Sequence, residues 1–62
     1  MLVKFDNLRN NATLFVNPAF VVTVEKGRDT GRVEILLSSG GSVVVRGELD
    51  EVVKVLDAAN RP

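Results

Sequence analysis

The residues that could carry chemistry in this 62-residue chain are hydroxyls, carboxylates and arginines, because the sequence contains no His, Cys or Tyr. General acid–base and nucleophilic catalysis usually depend on His, on Cys, or on a Ser beside a base. Ser38, Ser39 and Ser42 flank a Gly40–Gly41 pair. Their spacing does not match a phosphate-binding P-loop and no Lys follows, so we interpret them as turn residues. The sequence predicts no enzyme, no catalytic residue and no cofactor.

Carboxylates are concentrated near the C-terminal end of the chain, at Glu48, Asp50, Glu51 and Asp57. Oxygen ligands of this kind can hold a divalent cation. The first three fall in the predicted first turn of a helix, where the helix dipole favours negative charge. Glu51 and Asp57 do not share a helical face. We therefore predict no metal site.

Three arginines form an alternative candidate site, for nucleic acid: Arg28, Arg32 and Arg46. Counted outward from a tight turn at Gly40–Gly41, Arg32 and Arg46 should be near each other but not paired. The eight basic and eight acidic residues of the chain cancel, and no aromatic side chain lies beside the arginines to stack on a base. Solvent-exposed arginines in surface ion pairs are the simpler interpretation.

Alternating apolar residues and turn signals predict five strands and one helix. We expect strands at about 2–6, 13–16, 20–26, 32–38 and 42–46, and a helix at about 48–59 that ends near Asn60 and Pro62. Asn17–Pro18 should form a corner or bulge, since proline donates no N–H. Gly27–Gly31 suits a longer hairpin loop. Short connections favour antiparallel pairing in meander order. The predicted fold is a single α+β domain over residues 1–62, with an antiparallel sheet or small partly open barrel and a C-terminal helix.

The predicted strands carry apolar residues on both faces, whereas one helix can cover only one face. The helix stripe comprises Leu49, Val52, Val53 and Leu56. Candidates for the face that it covers are Phe20, Val22, Val24, Val33, Ile35, Leu37, Val43 and Val45. The opposite face would carry the candidate protein interface, Phe15, Val21, Leu36 and Val44, and the alternation is compatible with the helix on either face. This second face could be a barrel interior, a contact with another copy of the chain, or a docking site for a different protein.

A protein-interaction or regulatory module is the predicted function. A domain of this size buries only about 60% of its unfolded surface, and association is a common route to stability when disulfides are absent. We therefore expect a homo-oligomer formed through the second face. A nucleic-acid-binding module and a phage protein that inhibits a host bacterial protein are the alternatives. The start of the chain lacks signal-peptide character, the apolar runs are short, and Cys is absent, so we expect a cytoplasmic protein without membrane insertion.

One stretch of the sequence resembles a known family. Leu14–Pro18 is followed by Val21–Glu25, Gly40–Gly41, Val43–Val45, and Glu51-Val52 with Leu56. Over about residues 7–57 this order resembles the FlbD-like (SwrD-like) small flagellar and swarming motility proteins, with Asn17–Pro18 as its most distinctive element. Leu8-Arg9-Asn10 stands where that family has Leu-Asn-Gly, and Gly27–Gly31 departs from its Pro-Asp-Thr-like turn. The resemblance implies the fold and a regulatory or accessory role at the motor. It carries over no catalytic residue.

Overall fold

Five short strands and a C-terminal helix follow one another in meander order. The structure, a computed structural model, describes residues 1–60. The elements are β1 (Val3–Asp6), β2 (Thr13–Val16), a 3-10 turn (Pro18–Phe20), β3 (Val21–Lys26), β4 (Arg32–Leu37), β5 (Ser42–Arg46) and α1 (Leu49–Ala59). The predicted α+β fold is confirmed, with each boundary within one residue of its expected place. Asn60 caps α1 as predicted, and Pro62 lies outside the described residues.

The strands form two antiparallel sheets rather than one. β1 pairs with β2, and β3, β4 and β5 pair in that order. The sheets meet where Asn7 and Val45 form an isolated bridge and the Leu8 N–H donates to the Val44 carbonyl at 3.0 Å. Within residues 1–60 the strands therefore do not close into a barrel, and the free edges are β2 and β3.

The hydrophobic core lies between the two sheets and the helix. Val33, Ile35 and Val45 on the inner face of β4 and β5 are 0% exposed. The other buried core members are Val3, Phe5, Val16, Val52 and Leu56. The helix supplies two of these side chains one turn apart, as the predicted stripe requires. Val53, which the stripe also included, is instead about half exposed, so the covered face of α1 is narrower than predicted.

A β-bulge in β3 reverses the predicted orientation of the residues around it. Val21 pairs with Leu37 and Thr23 pairs with Leu36, so Val22 is the extra residue. Because directly paired residues point to the same face, Val21 follows Leu37 toward the core and packs against it. Val22 is 59% exposed. The strict alternation predicted for β3 therefore holds only from Thr23 onward, where Val24 faces the core beside Ile35.

The turn between β4 and β5 is longer than the predicted two-residue Gly40–Gly41 turn. Leu37 donates its N–H to the Gly41 carbonyl, and Gly40 donates to the Leu37 carbonyl, so Ser38–Gly41 form the connection. The pairing register consequently moves. Arg32 lies directly opposite Arg46, whereas the shorter turn would have left the two arginines unpaired.

Candidate functional site

The four residues of the predicted interface do not form one patch. Leu36 and Val44 lie on the outer face of the three-stranded sheet, where Leu36 is 37% exposed and Val44 is half-buried. Val21 faces the core because of the bulge. Phe15 belongs to β2 in the other sheet, where it pairs with Lys4 and is 60% exposed. The outer face of the three-stranded sheet thus offers little continuous apolar surface.

Charged residues occupy much of that outer face. Glu25 lies opposite Glu34, and in the next row Arg32 lies opposite Arg46. The outer face is therefore a mixed face with an acidic row beside a basic row. Arg28, the third arginine of the predicted nucleic-acid site, lies in the loop after β3 and lines a separate cleft with Arg32 and Glu34. Arg32 is therefore the common member of the set: it lies opposite Arg46 in the ladder and shares a cleft with Arg28, whereas Arg28 and Arg46 line different clefts.

The largest concentration of exposed aromatic surface lies elsewhere, at the end of the core near the Ser38–Gly41 turn. Phe15 and Phe20 line an open groove there with Leu14, Leu37, Val43 and Val16, and Asn7 and Asn17 complete its walls. The groove has a volume of about 260 Å³. Phe20 is 57% exposed although apolar residues surround it. We call this feature the Phe groove.

The local sequence explains why Phe20 faces the groove rather than the core. The Asn17 side chain accepts a hydrogen bond from the Ala19 N–H at 3.0 Å, and Pro18 occupies the first position of the 3-10 turn and is buried. The Phe20 N–H donates to the Asn17 carbonyl, and its own carbonyl accepts from Ser38 at 2.7 Å. The turn therefore anchors the backbone on both sides of Phe20. The alternation pattern predicts Phe20 in a strand, as a candidate for the helix-covered face, whereas the structure has it exposed at the end of the 3-10 turn. Asn17–Pro18 is itself a signal that the ladder stops there.

The Ser and carboxylate side chains that were considered for catalysis or metal binding lie in a turn and at the start of the helix. Ser39 accepts a hydrogen bond from the Gly41 N–H at 3.4 Å within the turn. Asp50 and Glu51 lie in the first turn of α1, after Glu48 at its N-cap. Within the described part of the chain, no group of three carboxylate, His or Cys side chains could hold a metal ion. No helix among these residues is long and apolar enough to cross a membrane.

Comparison of the chain with protein-family models, with curated proteins and with solved structures finds no match. The resemblance of Leu14–Pro18 and the following segments to the FlbD-like motility proteins therefore stays a prediction. Two surface features of residues 1–60 bear on function, the Phe groove and the ladder pair of Arg32 and Arg46.

Proposed function

We propose that this protein is a non-enzymatic interaction module that self-associates through the Phe groove. The observation that carries the proposal is the exposure of Phe15 and Phe20, both more than half accessible, on one apolar groove. An aromatic side chain covers 150–250 Å² when it is fully buried, by the usual order of magnitude for Phe, Tyr and Trp. Leaving two of them in water is costly for a chain with few buried residues.

The proposed occupant of the groove is a second copy of the chain. A two-fold interface needs one patch that presents both a projection and a recess, since each copy contributes the same surface. The Phe groove has both. Phe15 and Phe20 project from its walls, whereas Leu14, Leu37 and Val43 line it as half-buried residues packed against the core.

The size of the Phe groove predicts a weak dimer. Exposed apolar patches of a few hundred Å² are often functional, but a standard interface buries about 800 Å² per partner. Full burial of one Phe side chain stabilises by roughly 1.5–3 kcal/mol. Because association also costs rotational and translational freedom, we expect a dissociation constant of roughly 0.1–1 mM.

Sedimentation equilibrium over a dilution series tests the proposal. The wild-type chain should pass from dimer to monomer on dilution. Phe20→Ser should raise the dissociation constant of the dimer by roughly tenfold or more, and a tenfold change corresponds to about 1.4 kcal/mol. Val22→Ser is the matched control, because Val22 is as exposed as Phe20 but is not among the residues that line the groove. Phe15→Ser should act like Phe20→Ser.

Two results would contradict the proposal. A wild-type chain that stays monomeric at the highest soluble concentration would exclude self-association through any face. A dimer that is weakened by Leu36→Ser and not by Phe20→Ser would place the contact on the outer face of the three-stranded sheet, to which Leu36 and Val44 of the predicted interface belong. Circular dichroism spectra of each variant verify that the fold is retained.

A further inference from the structure

The arginine pair at the other end of β4 and β5 is an unfavourable arrangement in isolation. Arg32 and Arg46 are direct partners in the antiparallel ladder, so their side chains leave the same face of the sheet. Residues in such positions have Cβ atoms about 4.5–5.5 Å apart, and like charges placed there are destabilising. A pair of this kind needs negative charge nearby.

The acidic residues beside the two arginines compensate them only weakly. Arg32 Nε lies 3.7 Å from Asp29 Oδ2, and Arg46 Nε lies 3.9 Å from Asp6 Oδ2. All four side chains are at least half exposed, and exposed ion pairs of this kind contribute about 0–1 kcal/mol. In both ion pairs the guanidinium contact is made by Nε, and neither arginine takes part in the side-chain hydrogen bonds of the Asn and Ser turns. The terminal guanidinium N–H groups thus remain available for an anion.

Both arginines line a cleft whose other walls also offer donors. The cleft has a volume of about 490 Å³, and its lining includes Thr30 and Asn11, two residues whose side chains carry hydrogen-bond donors. Gly31 and Gly47 form part of its surface, joined by a hydrogen bond from the Gly47 N–H to the Gly31 carbonyl at 2.9 Å. Glu48 also lines it and is the one carboxylate of the lining.

We infer that Arg32 and Arg46 bind a single phosphate group, in the form of a phosphate monoester or inorganic phosphate. A dianionic phosphate neutralises the two positive charges that the ladder holds side by side. Guanidinium groups bind phosphate oxygens with two parallel hydrogen bonds each, which Lys cannot reproduce. Thr30 and Asn11 can donate to the remaining oxygens.

The surroundings favour a small ligand over a nucleic acid. Glu34 occupies the neighbouring row of the same face, and Glu48 lines the cleft itself. These carboxylates would repel the adjacent phosphates of a polyanion. The chain has zero net charge, and none of the cleft residues is aromatic and able to stack on a base.

Titration of the ¹⁵N-labelled full chain with inorganic phosphate, at slightly alkaline pH and constant ionic strength, tests this inference. The Nε–H signals of Arg32 and Arg46 and the amide signals of Thr30, Gly31 and Gly47 should shift and saturate, with a dissociation constant of about 1 mM or below. The absence of saturable shifts at these residues would overturn the inference.

Single substitutions show which charged side chains contribute to phosphate binding. Arg32→Gln and Arg46→Gln should each weaken phosphate binding by roughly tenfold, and Arg46→Lys should also weaken it because the two-pronged donor is lost. Glu48→Gln should strengthen binding by removing the repelling carboxylate. Lys54→Gln, which removes the same charge from the exposed surface of α1, is the control and should leave binding unchanged. Equal losses in Lys54→Gln and Arg32→Gln would show only a general charge effect and would overturn a defined site.

A second ligand separates this inference from nucleic-acid binding. A single-stranded oligonucleotide of about ten residues, within the usual length bound by one small domain, should bind no more tightly than inorganic phosphate does. Tighter binding with a steep decrease in affinity as salt rises would overturn the single-phosphate assignment in favour of a nucleic-acid site. The result is independent of self-association, because the arginines do not line the Phe groove.

Discussion

Strands β4 and β5 carry opposite kinds of surface at their two ends. At the turn end, Leu37 and Val43 contribute to the apolar Phe groove. At the other end, Arg32 and Arg46 project from the outer face beside a polar cleft. Arg32 and Leu37 are five positions apart in β4, which corresponds to about 17 Å of strand. The two candidate sites are thus held at a fixed distance by the same hairpin, and they face opposite sides of the sheet.

The difference between the ends shows how a small sheet can carry two independent surfaces. The apolar end depends on a 3-10 turn that points Phe20 outward, and the polar end depends on a ladder register that brings two arginines together. Between them the inner face is filled by Val33, Ile35 and Val45. A substitution at one end should therefore change only the binding activity of that end. A destabilising substitution in the core between them should reduce both self-association and phosphate binding.

The largest loss of stability is expected at the centre of the β4–β5 hairpin. A substitution there tests whether both candidate sites depend on the same folded hairpin. Ile35→Ala removes a side chain that is 0% exposed and should lower the free energy of unfolding by about 3 kcal/mol, because it leaves a cavity. Leu36→Ala, one position along but on the outer face, should cost less than about 1 kcal/mol. Urea denaturation followed by circular dichroism measures both.

Functional assays on the same variants complete this test. Ile35→Ala should reduce self-association and phosphate binding together, in proportion to the unfolded fraction. A variant that loses one activity and keeps the other would show that the two ends do not depend on a common folded hairpin.

The centre of the molecule was predictable from sequence, and the two ends were not. Alternation in β4 and β5 identified Val33, Ile35 and Val45 as one face, because both strands are regular. The errors arose where backbone geometry departs from regular pairing. The bulge at Val22 exchanges the faces of Val21 and Val22, and the four-residue turn brings Arg32 opposite Arg46. Neither departure changes the hydrophobic pattern, so periodicity could not reveal it.

The second-largest loss of stability should come from substitution of Gly47, which lies at the end of the hairpin that carries Arg32 and Arg46. Gly47 has φ of +149°, and a Cβ there would lie 3.1 Å from Val52 Cγ2. Gly47→Ala should therefore destabilise the protein by about 2 kcal/mol, through backbone strain and contact with the core. Because Gly47 lines the cleft, phosphate binding should also weaken, whereas self-association of the folded fraction should not change.

Gly41 is the matched glycine at the turn end. A Cβ on Gly41 would meet only Ser39 Oγ, at an ordinary contact distance of 3.7 Å. Gly41→Ala should change stability by less than about 0.5 kcal/mol. Thermal and urea denaturation of the two variants give the comparison, and equal losses in both would contradict the structural difference between the two ends.

Smaller losses of stability than at Ile35 or Gly47 should come from removing the side-chain hydrogen bonds in the two loops that flank β2. Asn17 Oδ1 accepts from the Ala19 N–H, and Asn10 Oδ1 accepts from the Ala12 N–H, both at 3.0 Å. Each substitution to Ala removes one such bond and should cost about 1 kcal/mol or less. On stability alone the two variants should be alike.

They should differ in self-association, because only Asn17 holds the turn that presents Phe20. Asn17→Ala should loosen that turn and weaken the dimer by roughly fivefold, which corresponds to about 1 kcal/mol, whereas Asn10→Ala should leave the dimer intact. Sedimentation equilibrium under conditions in which both variants are fully folded measures the difference. If Asn10→Ala weakened the dimer as much as Asn17→Ala, the orientation of Phe20 would not be what the second copy recognises, and the contact would have to include the β1–β2 loop.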